Sequence, residues 1–168
     1  MKEAKLQEEL FIEYLGRCKN LVFKIARMYC ANEEDRKDLV QDIIVQLWKS
    51  FPKYNDEYAI STWTYRIALN VSISFLRKSR TKQRVMEDFQ QHPGILYVDE
   101  NVTDERLEYL YQFVGQLKPV DKAIMILYME GCSQKEISSV MGMSETNVST
   151  RKNRIHSKMK TFFETVKL

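Results

Sequence analysis

The sequence of 168 residues has no long apolar run. Its longest uncharged apolar run, around Ala123 to Met129, falls far short of the ~20 residues that cross a bilayer, and no signal-like apolar core follows Lys2, Glu3 and Lys5. No membrane insertion of its own is expected, and the expected compartment is the cytoplasm. Cysteine is scarce: Cys18, Cys30 and Cys132 are odd in number, far apart and without C-x-x-C spacing, which excludes a disulfide framework and reads as three reduced, half-buried thiols. His92 and His156 stand near no Cys or carboxylate at ligand spacing, so neither a metal nor a cofactor is expected. Glycine (5) and proline (3) are also few, and with 44% hydrophobic and 29% charged residues the chain reads as a helix-rich folded protein rather than a disordered one.

A further absence is local. Asp and Glu are missing from Ser61 to Met86, which carries Arg66, Arg77, Lys78, Arg80, Lys82 and Arg84, and again from Thr146 to Phe163, which carries Arg151, Lys152, Arg154, Lys158 and Lys160. Acids gather instead at Glu33, Glu34, Asp35, Asp38 and Asp42 and between Asp99 and Glu108. The net charge of +3 hides this sorting. Two basic segments kept apart by acidic ones fit two separate contacts with nucleic acid, where neutralised phosphates release counterions; charge alone fits two solvated helix faces equally.

Leu6, Leu10 and Tyr14 recur at helical spacing and predict a first helix from about Lys5 to Leu15, with a second from about Asn20 through Leu21, Ile25 and Met28. Asn32 before three acids reads as an N-cap, and Leu39, Ile43, Leu47 and Phe51, flanked by Val40, Ile44 and Trp48, form a wide apolar face ended by Pro52. A polar loop from Lys53 to Ile60 carries Tyr54 and Tyr58. Ser61 is then placed to cap a long helix that buries Trp63, Ile67, Val71 and Phe75, while Thr62, Arg66, Asn70, Ser74 and Lys78 make a polar stripe. Helical period fades between Thr81 and Thr103, a breaker-rich and acidic stretch that reads as a linker. Beyond it, Leu107, Leu110, Phe113, Val114 and Leu117 predict a helix that breaks near Pro119 and resumes from Ala123 to Met129, until Gly131. The expected fold is all-α: two small helical domains, 1–80 and 104–168, joined by a flexible acidic linker, 81–103.

The C-terminal domain contains the strongest physical signal. Ser133-Gln134-Lys135-Glu136 has the S-x-x-E form of a capping box, followed by a short helix burying Ile137 and Val140. Gly142 supplies a turn, and Ser144 caps a last helix with Val148, Ile155, Met159 and Phe162 as its apolar stripe. A short helix, a glycine turn and a basic second helix match a helix-turn-helix, whose second helix enters the DNA major groove. Glu145, Thr146, Asn147 and Thr150 are then placed to reach base edges, with Arg151, Lys152 and Arg154 nearer phosphates or guanines and Lys158 further along the same basic helix.

Several motifs resemble one family. Asp38-Leu39-Val40-Gln41-Asp42 with Leu47-Trp48 is similar to region 2.2 of the extracytoplasmic-function sigma factors of the sigma-70 class, and Thr62-Trp63-Thr64-Tyr65-Arg66-Ile67-Ala68 with Asn70 to regions 2.3 and 2.4. Leu117-Lys118-Pro119, Glu130-Gly131, Ser133, Glu136-Ile137 and Ser144 to Val148, with Arg151 and Arg154, resemble region 4. The resemblance implies no catalysis. It implies that Asp38, Gln41, Asp42 and Trp48 dock on the beta-prime clamp helices of core RNA polymerase, that region 4 meets the beta flap, and that an anti-sigma factor is a further partner.

It also implies that Tyr54, Tyr58, Thr62, Arg66, Asn70, Ser74, Arg77 and Lys78 read and melt the promoter minus-10 element, and that Ser144 to Lys158 reads the minus-35 duplex. Melting agrees with the chemistry present, since an unstacked base needs aromatic or polar pockets beside basic side chains. Two positions depart from the family pattern: Ser74 stands where an acid is frequent, and Thr146-Asn147 where Gly-Thr is frequent, so the promoter preference of relatives is not transferable. A helix-turn-helix repressor or activator acting alone would leave the acidic helix and the Thr62 stripe without a use. An enzyme would need a nucleophile, a metal cluster or paired carboxylates beside the basic surface, and the acids lie in capping turns and the linker.

Overall fold

A computed structural model describes residues 2–55, 59–86 and 105–166, and among these every regular element is a helix. The chain divides into two compact units, Met1–Lys78 and Ser79–Leu168. Most of the expected acidic linker, residues 87 to 103, lies outside the described residues, as does Tyr58.

The first unit begins with α1, Lys2–Tyr29, and here the sequence-based expectation of two helices is corrected: the helix is continuous. Gly16 is the one breaker in the region, at a cost of roughly 1 kcal/mol relative to alanine, and a buried row of Phe11, Tyr14, Cys18, Val22 and Ile25 runs through it. Packing of that row outweighs the local weakness. A Cβ built at Gly16 meets nothing within 4 Å, so Gly16→Ala is expected to stabilise the fold by about 0.5–1 kcal/mol, measurable as a raised urea midpoint with unchanged slope.

Helix α2, Glu33–Ser50, starts as expected. The Asn32 Oδ1 accepts hydrogen bonds from the backbone N–H of Glu34 (2.8 Å) and Asp35 (3.1 Å), relieving two of the unpaired amides at a helix start. Leu39, Ile43 and Leu47 are completely buried. A single 3-10 turn, Phe51–Lys53, closes the helix at Pro52.

Helix α3, Ile60–Met86, departs from expectation at three points. Ser61 lies inside it rather than capping it, since the Trp63 amide already bonds the Ala59 carbonyl at 3.1 Å. The helix passes Thr81, where the sequence loses its period, and ends only at Met86. Its buried face is not the bulky stripe. Thr64, Ala68, Leu69, Ser72 and Ile73 are buried, whereas Trp63, Ile67, Val71 and Phe75 are half-buried. Both buried hydroxyls are satisfied within the helix, Thr64 donating to the Ile60 carbonyl (2.7 Å) and Ser72 to the Ala68 carbonyl (2.8 Å).

An aromatic cluster fastens the start of α3 to α1 and α2. Phe11 meets Trp48 and Phe51 edge-on at 5.0 and 5.3 Å, and Tyr14 meets Phe51 at 5.3 Å and Trp63 at 5.7 Å. The Tyr14 hydroxyl lies 2.7 Å from the Thr64 Oγ1; because Thr64 spends its proton on Ile60, Tyr14 is the donor. Burial pushes the Tyr14 phenol far above its ordinary range, so it stays protonated and keeps donating.

The second unit comprises α4 (Glu105–Gln116), α5 (Pro119–Met129), α6 (Gln134–Met141) and α7 (Glu145–Val166). Pro119 at the first position of α5 needs no amide partner, and the helix is buried from Asp121 to Leu127. It is the central element, touching α4, α6 and α7. Phe113 and Val114 of α4, Leu117 directly after it, Ile137 and Val140 of α6, and Val148 and Ile155 of α7 complete its core. Met159 and Phe162, expected in the buried stripe of α7, are half-buried, with Phe162 5.6 Å from Phe113.

The capping box is present in both directions: the Ser133 amide donates to the Glu136 carboxylate (2.7 Å) and the Glu136 amide to the Ser133 hydroxyl (3.2 Å). These bonds to Ser133 hold the Glu136 carboxyl below its ordinary range. Its support of α6 is therefore present at neutral pH and lost as pH falls through that lowered value. The expected observation is faster hydrogen exchange at the Ser133 amide, relative to neighbouring amides of α6, only below the ordinary carboxylate range.

Candidate nucleic-acid interface

Gly142 ends α6 in the left-handed region, at φ 62°, where a side chain is strained. The Ser138 hydroxyl donates to the Met143 carbonyl and the Met143 amide returns a bond to the Ser138 carbonyl at 3.1 Å, closing the turn. Gly142→Val is expected to destabilise this unit by at least about 1 kcal/mol, read as a lower melting temperature of the full chain by circular dichroism.

Ser144 caps α7 as expected, its hydroxyl accepting from the Asn147 amide at 3.2 Å, and the Gln134 side chain donates to the Glu145 carbonyl at 3.1 Å. The first turn of α7 is thereby tied to α6. Glu145, Thr146, Asn147 and Thr150 are all exposed there, with Arg154 and Lys158 exposed one and two turns on. Thr150 returns its hydroxyl proton to the Thr146 carbonyl at 2.9 Å. The exposed polar front and basic flank share one helix.

Two basic residues of α7 reach back to α5. The Arg151 guanidinium donates through Nη1 to the Asp121 carboxylate (2.7 Å) and through Nε to the Asn147 Oδ1 (3.2 Å). The Lys152 Nζ sits 4.6 Å above the Tyr128 ring. Sequence reasoning missed Asp121 and Tyr128. Both lie on α5, far from α7 along the chain, and Asp121 alone reads as an ordinary first-turn acid.

In the first unit, Arg66, Asn70, Ser74, Arg77 and Lys78 of α3 are exposed and Thr62 is half-buried. Tyr54 is half-buried and leans on Trp63 at 5.1 Å, so it belongs to the aromatic cluster at the mouth of the loop. Asp38, Gln41 and Asp42 are exposed on one face of α2 and Trp48 is 38% exposed on the same face, while its ring packs on Phe11. A groove between α2 and α3 joins the two sets, since Asp42 and Gln46 line one wall and Asn70, Ser74, Phe75 and Lys78 the other. The structure thus brings the expected polymerase-docking face and the expected minus-10 stripe to adjoining surfaces of one unit.

Among the described residues no group of His, Cys, Asp and Glu is arranged to hold a metal, and no helix is long and apolar enough to cross a membrane.

Residues 15–82 match the family model of sigma-70 region 2, and residues 107–159 that of sigma-70 region 4. The RNA polymerase sigma factor SigV of Bacillus subtilis is 28% identical over 153 residues, covering 90% of this chain and 89% of its own, and CnrH of Cupriavidus metallidurans is 25% identical over 96% and 90% of the two chains. Among solved structures, the sigma factor RpoE of Bartonella quintana, determined in complex with the anti-sigma factor NepR, aligns with a TM-score of 0.75 at 17% identity, over 92% of this chain and 96% of that one. CnrH in complex with the cytosolic domain of CnrY aligns with a TM-score of 0.64 at 21% identity, over 94% and 90%. An all-helical chain with a region 2 unit followed by a helix-turn-helix region 4 unit, matched by both family models in that order, belongs to the extracytoplasmic-function sigma factors of the sigma-70 family.

Proposed function

We propose that this sigma factor acts without catalysis of its own, in the cytoplasm, as a subunit that joins core RNA polymerase and selects promoters through two DNA contacts. Residues 1–80 form the polymerase and minus-10 module, 81–103 the tether, and 104–168 the minus-35 module. Asp38, Gln41, Asp42 and Trp48 dock on the beta-prime clamp helices. Thr62, Arg66, Asn70, Ser74, Arg77 and Lys78, with the loop tyrosines Tyr54 and Tyr58, engage the opened minus-10 strand. Ser144 to Lys158 enters the minus-35 major groove, and the same unit meets the beta flap. An anti-sigma factor is the expected antagonist, as the bound partners in the RpoE and CnrH structures illustrate for those proteins.

One observation carries this reading over that of a free-standing repressor: the acidic face of α2 adjoins the polar row of α3 across a shared groove. A repressor reading duplex DNA through α7 has no use for either surface. Run-off transcription with purified core polymerase tests it. Adding the folded chain is expected to yield promoter-dependent transcripts that neither component gives alone. Specific binding to promoter duplex without polymerase, and no transcript with it, would favour the repressor instead. Asp38→Arg with Asp42→Arg is expected to weaken polymerase binding about tenfold or more, by placing cations where anions dock, with the helix content unchanged.

A further inference from the structure

We propose that Asp121, which lies behind the recognition helix, is a positioning residue that sets base preference by holding Arg151 against Asn147. This rests on α7 being the DNA-reading helix. The Asp121 side chain is only 4% exposed and that of Arg151 29%, so the ion pair is largely sheltered from water and the guanidinium is held on the protein side of α7. Two of its donors are directed within the unit: Nη1 goes to Asp121 at 2.7 Å and the single Nε proton to the Asn147 Oδ1 at 3.2 Å.

Arg151 therefore differs from Arg154 and Lys158. Its charge is matched by a buried carboxylate. Its effect reaches DNA through Asn147. An arginine Nε can only donate, so the Asn147 amide must turn its oxygen toward Arg151 and offer its NH2 to the groove. A free asparagine reads adenine by accepting from N6 while donating to N7. With one lone pair of its oxygen held by Arg151, Asn147 is biased toward donating and favours a base edge rich in acceptors, such as guanine with its N7 and O6. The buried pair thereby tilts a residue suited to adenine toward donation.

The test selects a promoter library, randomised across the upstream element, with holoenzyme assembled from the full chain. Asn147→Ala first identifies the base pair that Asn147 reads. At that pair, Asp121→Asn and Arg151→Lys are each expected to raise the share of adenine relative to guanine about fivefold or more. Neither change is expected to have a further effect in the Asn147→Ala background. The neutral pair Asp121→Asn with Arg151→Gln is expected to leave the salt dependence of binding unchanged.

The proposal is overturned if the Asp121 and Asn147 effects simply add, if the preference at that pair does not move, or if the neutral pair lowers the salt slope by about one, the mark of a lost phosphate contact. If Asn147→Ala moves no position, the reading of α7 falls as well. If Asn147→Ala moves one and the Asp121 and Arg151 variants do not, only this inference falls. Helix content by circular dichroism accompanies every variant, and Arg151→Lys, which keeps the charge on Asp121, decides the matter if Asp121→Asn does not fold.

Discussion

Ile43→Ala is expected to destabilise the region 2 unit by about 3 kcal/mol and to abolish most promoter-dependent transcription at physiological temperature. Ile43 is completely buried, with Leu39 and Leu47 buried one turn to either side on α2. Each lost carbon removes roughly 0.8 kcal/mol of burial, and the cavity left between packed helices adds to it, placing the change within the ~2–5 kcal/mol seen for such truncations. A unit of this size has a total stability of roughly 4–12 kcal/mol, so the loss is a large share.

The sequence offers a selective probe of this effect. Its two tryptophans, Trp48 and Trp63, both belong to the aromatic cluster of the first unit, so tryptophan fluorescence reports that unit alone, while circular dichroism reports both. In urea, the fluorescence transition is expected to move to lower concentration, leaving a helical signal from the region 4 unit that melts as in the parent. A shift of less than about 1 kcal/mol would show that Ile43 is not a keystone of this core. Equal displacement of both signals would show that the two units do not melt independently.

What the sequence made legible was local chemistry. Each of the caps, at Asn32, at Ser133 with Glu136, and at Ser144, is written within a span of three residues, and the turn at Gly142 needs one residue of the right conformational freedom. The features that sequence reading misplaced depend on what packs from elsewhere. In α3 the bulky row of Trp63, Ile67, Val71 and Phe75 looks like the core face, yet the buried face runs through Thr64, Ala68, Leu69, Ser72 and Ile73, a choice that depends on what packs against the helix. In α1, a break placed between Leu15 and Asn20 is overridden by a buried row crossing Gly16. The candidate site could be listed from the sequence as residues that the fold places on α2, α3 and α7 and in the loop before α3. The pairing that gives Arg151 and Asn147 different tasks was not legible, because its other member, Asp121, belongs to α5.

That difference among the basic residues of α7 leads to a second large effect. Arg154 and Lys158 lie one turn apart and are exposed, whereas Arg151 is paired with Asp121 and Lys152 rests over Tyr128. If the first two neutralise DNA phosphates, each contributes about 0.9 to the slope of log affinity against log salt. Arg154→Ala with Lys158→Ala is then expected to lower that slope by about 2 and to weaken minus-35 duplex binding roughly thirtyfold at physiological ionic strength, equally on all sequences. Lys152→Ala is expected to change the slope by much less, since its ammonium already has an aromatic partner. The measurement is holoenzyme binding to promoter duplex across a salt series. An unchanged slope for the double variant would place the DNA on another face of α7. A sequence-selective loss would instead make Arg154 or Lys158 a reader of bases, and the division of labour along the helix would then run opposite to the one the buried ion pair supports.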